Sequence, residues 1–226
     1  MTNILDRNGY GNDSHAVLVV GGSSTTFTDI GRGGSTHTIT RVGDTTWSSG
    51  QQLFGQDTIL FDGTGDRLTA EDSADYDFPG DFTVDWSMYY SSWTAGTEGL
   101  ITNCNRQAGS DGWSLIASVG NALIFESMFS GGWAISKTFT VSDSPNTWVH
   151  FALVRKGTTI SLYEDGVLND TVADSPVTSI TGASYALTIG DQPQTGFPYS
   201  GYMANIRITK GLARWSKTFV PPNRNY

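Results

Sequence analysis

The sequence predicts an all-β fold, a jelly-roll sandwich of two antiparallel sheets, and three observations carry that reading. Apolar and polar residues alternate with a period of two in many short runs; Phe82, Val84, Trp86 and Met88, for example, alternate with Thr83, Asp85, Ser87 and Tyr89. Glycine-rich turns separate the runs, with 27 Gly in 226 residues. Helix-forming Ala-Leu-Glu-Lys stretches are missing, aromatic residues make up 12% of the chain and charged residues only 15%. Strands with no helices between them pack as antiparallel sheets face to face rather than as a parallel α/β fold.

The elements follow in order. Residues 1–15 are polar and rich in Gly and Asn, and read as a flexible N-terminal arm; residues 16–226 read as one domain. Val17 to Val20 opens the first strand, Gly21 to Ser24 a turn, and Thr25 to Thr28 an irregular connection. Thr36 to Val42 reads as an edge strand. Asp57 to Phe61 and Phe82 to Tyr90 are strands on either side of an acidic, turn-rich segment, and the latter is expected to pack one face while leaving the other free for binding. Leu100 to Thr102 follows the loop 91–99, and the polar turn 103–112 leads to a hairpin of Trp113 to Val119 and Ala122 to Met128 around Gly120-Asn121. Trp133 to Val141 and Thr147 to Lys156 come next. Thr158 to Tyr163 and Val167 to Val172 flank Glu164-Asp165-Gly166, whose Asp-Gly pair favours a tight hairpin with positive φ. Tyr185 to Ile189 and Tyr202 to Ile208 complete the sheets, and Lys210 to Phe219 wraps back before Pro221-Pro222.

Several of these runs carry a resemblance. Phe61-Asp62-Gly63-Thr64-Gly65-Asp66, Asp72-Ser73-Ala74 and Gly80-Asp81-Phe82-Thr83-Val84 resemble the opening motifs of laminin-G-like domains, a branch of the concanavalin A-like lectin/glucanase superfamily. Asn146 to Arg155, Leu162 to Val167, Leu187 to Gly190 and Gly201 to Thr209 are similar to the later strands of that family. Thr26 to Asp29, Phe54-Gly55 and the tail from Ala213 to Pro222 resemble the variants common in bacteriophage structural proteins, tail fibres and head decorations. The resemblance spans residues 16–222 and implies a concanavalin A-like jelly roll on a virion, with other virion proteins as partners, the N-terminal arm as one means of docking on them, and homo-oligomers as one form of assembly. A secreted or cell-surface setting is the alternative.

Composition narrows the function. With 13 basic and 22 acidic side chains the net charge is −9, and no Lys/Arg cluster offers the stripe that nucleic acid needs. The longest aliphatic run, Ala16 to Val20, is far short of the ~20 residues of a spanning helix, and the polar start shows no export signal, so no membrane partner is expected. Cys104 is the only cysteine, which excludes an intrachain disulfide; its neighbours suggest an unreactive, half-buried thiol.

Catalytic patterns are missing. Glycosidases need two carboxylates about 5 to 9.5 Å apart, and the resemblance implies a Glu-x-Asp-x-Glu type run in the hydrolytic branch. The glutamates Glu71, Glu98, Glu126 and Glu164 form no such run, and Asp85 stands alone on its strand. The three histidines, His15, His37 and His150, are scattered, and there is no nucleophile elbow or phosphate loop. The expected function is therefore not enzymatic.

Two ligand classes remain. The acids Asp62, Asp66, Glu71, Asp72, Asp75, Asp77 and Asp81 are the calcium candidate, and some laminin-G-like domains bind Ca²⁺; yet an EF-hand counted from Asp75 has Pro79 at position 5 and Trp86 at position 12, and Asp62 and Asp66 suit amide capping equally. No cofactor is assigned. Aromatic faces with amides and carboxylates beside them suit sugars. The middle third offers Tyr89, Trp93, Trp113 and Trp133 with Asn103, Asn105, Arg106 and Asp111, on loops where binding residues concentrate; Trp113 and Trp133 read equally well as core. The expectation is attachment to surface glycans, and the alternative is a capsid-decoration or fibre domain without a ligand.

Overall fold

The structure, a computed structural model, describes residues 13–23, 26–92, 96–105, 110–142, 144–174, 178–181, 184–192 and 196–223. In chain order the elements are β1 (Ala16–Ser23), β2 (Thr26–Asp29), β3 (Thr40–Val42), β4 (Thr46–Leu53), β5 (Gln56–Asp62), β6 (Arg67–Ala70), a single 3-10 turn (Ala74–Tyr76), β7 (Phe82–Tyr89), β8 (Thr97–Thr102) and β9 (Gly112–Ser118). There follow β10 (Ala122–Phe129), β11 (Gly132–Thr140), β12 (Trp148–Lys156), β13 (Thr159–Glu164), β14 (Val167–Ala173), β15 (Leu187–Ile189) and β16 (Ser200–Lys210). β2, β4 and β6 stand where the sequence reading placed no strand: Thr26–Asp29 and Arg67–Ala70 are too brief for alternation to separate them from loop, and the eight residues of Thr46–Leu53 (TWSSGQQL) are mostly polar and do not alternate.

One sheet has nine strands: β14, β13, β12, β7, β16, β1 and β2 in order, with β5 also on β16 and β4 on β5. The other has seven, in the order β11, β10, β9, β8, β15, β6, β3. The described pairings are antiparallel, and β1 lies against β16, so the beginning and end of the fold close on each other. Hairpin turns show the positive φ pairs that tight turns need: Gly120-Asn121 (76° and 57°), Ser130-Gly131 (52° and 78°) and Asp165-Gly166 (47° and 78°).

Alternation sends Phe82, Val84, Trp86 and Met88 of β7 inward to meet Leu115, Phe125 and Ile101 of the second sheet. Phe78 stacks on Phe82 at 4.3 Å, Phe82 meets Phe125 at 6.1 Å, and Trp86 stacks on Phe151 at 5.5 Å. Each such ring removed from water stabilises the fold by about 1.5–3 kcal/mol. Trp113 belongs to this layer. It is fully buried, lies 5.2 Å from the Phe78 ring, and its Nε1 donates to the Tyr76 carbonyl at 2.9 Å. Trp113→Phe leaves that carbonyl unpaired in the core, and the expected outcome is a loss of about 1–3 kcal/mol, read as a lower urea midpoint at unchanged slope. Cys104 is fully buried.

The outer face of β7 is not free, contrary to the sequence expectation. Thr83, Asp85 and Ser87 are buried under the segment that follows β16. Ala213, Trp215 and Phe219 pack on Ala152, Val154 and Tyr163, and Trp215 stacks on Phe219 at 4.0 Å. Thr83 Oγ1 donates to the Leu212 carbonyl at 3.0 Å and accepts from the Arg214 amide at 3.0 Å. At Gly166 the Phe219 carbonyl lies 1.9 Å from where a Cβ would stand, so only glycine lets the tail pass. Beneath this lid Arg207 pairs with Asp85 through Nε at 2.9 Å and Nη2 at 3.0 Å. His150 Nε2 lies 3.6 Å from Asp85, and the Trp215 and Phe219 rings present near-perpendicular contacts to its imidazole. A polar outer row that includes a charge pair needs such a cover.

Of the N-terminal arm expected over residues 1–15, residues 1–12 lie outside the described residues, and residues 13–15 are held on the domain. The Lys210 amide donates to the His15 carbonyl at 2.9 Å, and Asp13 pairs with Arg214.

Candidate functional site

The outer face of the seven-stranded sheet carries one row of polar side chains across every strand. By register, Thr40 of β3 pairs with Thr69 of β6, Thr69 with Thr188 of β15, and Thr188 with Thr102 of β8. Thr102 pairs with Ser114 of β9, Ser114 with Glu126 of β10, and Glu126 with Ser136 of β11. Their neighbours Ile101, Leu115 and Phe125 point into the core, so these side chains point away from it. With strands about 4.8 Å apart, seven residues span roughly 29 Å.

The row is open at its ends and covered in the middle. Thr40 and Ser136 are exposed, whereas Thr188, Thr102, Ser114 and Glu126 are buried. Part of the cover is visible in the glycines. A Cβ on Gly99 would stand 2.4 Å from the Asp191 backbone, so the segment after β15 crosses the outer face there, and the Gly99 amide donates to the Phe197 carbonyl at 2.9 Å. A Cβ on Gly112 would stand 2.8 Å from the Asn103 carbonyl oxygen. Burial pushes the Asp191 carboxyl upward, and the Gln192 amide and Arg67, whose Nη1 is 3.5 Å away, offset this only in part.

At the centre, the hydroxyls of Thr102 and Ser114 are fully buried and make no hydrogen bond to any described residue. Buried hydroxyls of this kind cost free energy unless something pairs them. Beside them is the carboxylate of Glu126, 4% exposed. The row combines donors, acceptors and one acid in a line, and its ends at Thr40 and Ser136, not its covered centre, lie open to hydroxyl-bearing ligands.

The residues predicted from sequence are distributed around this row and beyond it. Trp93 and Arg106 lie outside the described residues. Asn103, Asn105, Asp111 and Trp133 come together at the end of the sandwich where β8 leaves and β9 enters. Asn103 is buried there, its Oδ1 accepting the Trp113 amide at 2.8 Å, and Asn105 is buried with its amide donating to Ser110 Oγ at 2.6 Å. These two shape the loop. Asp111 is half-buried and Trp133 is 49% exposed, paired across strands with Met128. Trp113 is sealed in the core by alternation from Leu115 and cannot offer its ring to a ligand. Tyr89 lies on the other sheet at the opposite end, in a half-buried row with Trp148 at 5.7 Å and Tyr202 at 5.9 Å. Thr102, Ser114, Thr188 and the role of Glu126 were missed in the sequence, although the alternation in GWSLIAS and ALIFESMF already put Ser114 and Glu126 on one face.

The acidic segment divides instead of forming one ion loop. Glu71 and Asp75 flank the buried His37 at 3.4 Å and 3.1 Å. Asp81 accepts the Gly157 amide at 2.8 Å. Asp62 and Asp66 converge with Asp44, with ligand oxygens within 4.8 Å of one another, so this trio could hold a hard cation. Both oxygens of Asp66 already accept backbone amides, from Asp44 at 2.8 Å and from Asp62 at 3.0 Å. Burial pushes its carboxyl upward, and the two amides offset this only in part. Loop pinning accounts for the trio.

Comparison with known proteins agrees with this architecture. A family model described as the concanavalin A-like lectin/glucanases superfamily, of laminin-G type, matches residues 62–214. No curated protein matches the chain in sequence. The binding domain of Paraclostridial Mosquitocidal Protein 1 superposes with a TM-score of 0.68 at 14% identity, over 86% of this chain and 48% of that one. The botulinum neurotoxin serotype D binding domain gives 0.66 at 12%, over 87% and 48%. The receptor binding domain of the botulinum neurotoxin C/D mosaic serotype gives 0.67 at 16%, over 89% and 49%. The chain thus spans about half the length of these structures. Two stacked antiparallel sheets and a family match over more than half of the residues lead to one conclusion: the chain belongs to the concanavalin A-like lectin/glucanases superfamily.

Proposed function

We propose that this domain binds surface glycans without cleaving them, through the outer face of its seven-stranded sheet. The observation that carries the reading is the hydroxyl row across that face, open at Thr40 and Ser136, whose covered centre holds two hydroxyls, Thr102 and Ser114, with no partner among the described residues, beside Glu126. Sugar hydroxyls donate and accept in the pattern such a row requires. The lectin-type fold and the likeness to domains named for receptor binding support a recognition role. Hydrolysis needs a second carboxylate about 5 to 9.5 Å from the first, and Glu126 is the only acid in the row.

The setting belongs to the same proposal. The domain is a virion component, a fibre or capsid decoration, and many copies strengthen a weak individual contact. This part is supported by the sequence resemblance alone. Mass spectrometry of purified particles from the producing cells tests it, and absence of the protein from particles overturns it.

A glycan array probed with multimerised protein tests the binding. Thr40→Val and Ser136→Ala each remove a hydroxyl at an open end of the row, worth about 0.5–1.5 kcal/mol, so affinity is expected to fall roughly 2- to 13-fold in at least one of them. The bound glycan is expected to stay intact on incubation. Failure of the multimer to bind any glycan, or wild-type affinity in both variants, overturns the site.

A further inference from the structure

A second surface is carried by the tip of the β10–β11 hairpin. Phe129 is 52% exposed and Trp133 is 49% exposed, on either side of the two-residue turn Ser130-Gly131. Phe129 continues the inward alternation of Leu123 and Phe125 but lies past the end of the core that those two fill. Trp133 pairs with Met128 and shares the opposite, outward face. The register shift between Ser127 and Met128 leaves Ala134 as the extra residue on β11, which sets Trp133 against Met128. The tip therefore presents one aromatic ring on each face. From Ser127 to Ser136 it carries no charged residue, in a chain of net charge −9.

We infer that this tip is a wedge for the interfacial layer of a lipid bilayer whose headgroups are zwitterionic. Two rings on opposite faces of a hairpin, with the hairpin between them, cannot stack on the same sugar. A medium that surrounds the tip takes up both. The headgroup boundary is such a medium; Trp concentrates there, and apolar groups with no flanking charge bury to about 5–10 Å. No helix among the described residues is long and apolar enough to cross a membrane. Adsorption by a hairpin tip needs none. The lipid charge follows from the protein. A net charge of −9, with Asp111 one residue before the Gly112 that pairs with Met128, repels an anionic leaflet and tolerates phosphatidylcholine.

Flotation with phosphatidylcholine vesicles tests the wedge. Wild-type protein is expected to float, and Phe129→Ser and Trp133→Ser each to weaken partitioning roughly tenfold, Phe129→Ser at unchanged melting temperature because its ring is exposed. Adding phosphatidylserine is expected to weaken flotation, and salt to restore it. Brominated lipid is expected to quench the wild-type tryptophan fluorescence, while Trp133→Phe still floats but loses that quenching. Wild-type protein that stays with the soluble fraction overturns the wedge. So does flotation that survives the double variant Phe129→Ser/Trp133→Ser, or glycan binding that requires Trp133 in a protein that does not float.

Discussion

Asp85→Asn is expected to lower the unfolding free energy by about 3–5 kcal/mol while preserving side-chain shape. Asp85 is completely buried on β7, and its two oxygens hold Arg207 Nε and Nη2 at 2.9 and 3.0 Å. The neutral amide leaves the guanidinium sealed beneath Trp215, whose ring lies 5.7 Å from it, without the carboxylate that its Nε and Nη2 now face. For a chain of this size about 1 kcal/mol moves the melting temperature by 2–4 °C, so a drop of roughly 6–20 °C is expected. Calorimetry decides it, and a change under about 2 °C would show that the pair is dispensable.

The same pair sets an acid limit. Burial alone pushes the Asp85 carboxyl up, but the Arg207 charge and its hydrogen bonds, with the His150 ring 3.6 Å away, overcome it and hold it down at about 2. A depressed folded pKa means that the unfolded chain binds the proton more readily. The contribution is therefore fully present above the unfolded value of ~3.9 and is lost as pH falls through the folded value. Urea titrations at neutral pH and near pH 2.5 are expected to show the gap between wild type and Asp85→Asn narrowing on the acid side. A gap independent of pH would contradict the linkage.

Arg155→Met is expected to cost as much, about 3–5 kcal/mol, for a different reason. Arg155 is fully buried near the other end of the same sheet, where one guanidinium serves several acceptors. Its Nε donates to the Gly80 carbonyl at 2.7 Å and its Nη1 to Asp174 at 3.1 Å and the Thr178 carbonyl at 2.6 Å, while Nη2 reaches the carbonyls of Phe78 and Gly80. Methionine fills much of the volume but leaves Asp174, 3% exposed, as a buried charge and frees the carbonyls that fix the approach to β7. Asp174→Asn in the same background separates these terms, since it removes the stranded charge. Part of the loss is expected to return in the double variant. No recovery would place the cost in the carbonyls alone.

Much of the frame was legible because alternation is a local property. Val84, Trp86 and Met88 announce an inward face, and Asp165-Gly166 a tight hairpin, within a few residues of chain. Glu126 and Ser114 were legible in principle, as alternate positions on adjacent strands, but their register becomes visible only when β9 and β10 pair. Trp113 shows the limit. Its flanking loop suggested a binding residue, yet one step of alternation from Leu115 puts it inside.

The sequence by itself determined that the chain folds as stacked antiparallel sheets, where most strands and turns fall, and which residues of a strand share a face. Only the tertiary structure decided which faces are covered. Thr83 is closed off by Leu212, 129 residues later, and Tyr89 is separated from Asn103 by the length of the sandwich. The physical reason is one of range. A period of two is fixed by the geometry of each strand, whereas cover over a face comes from chain far away in sequence, whose docking depends on packing and charge pairing that no local pattern contains.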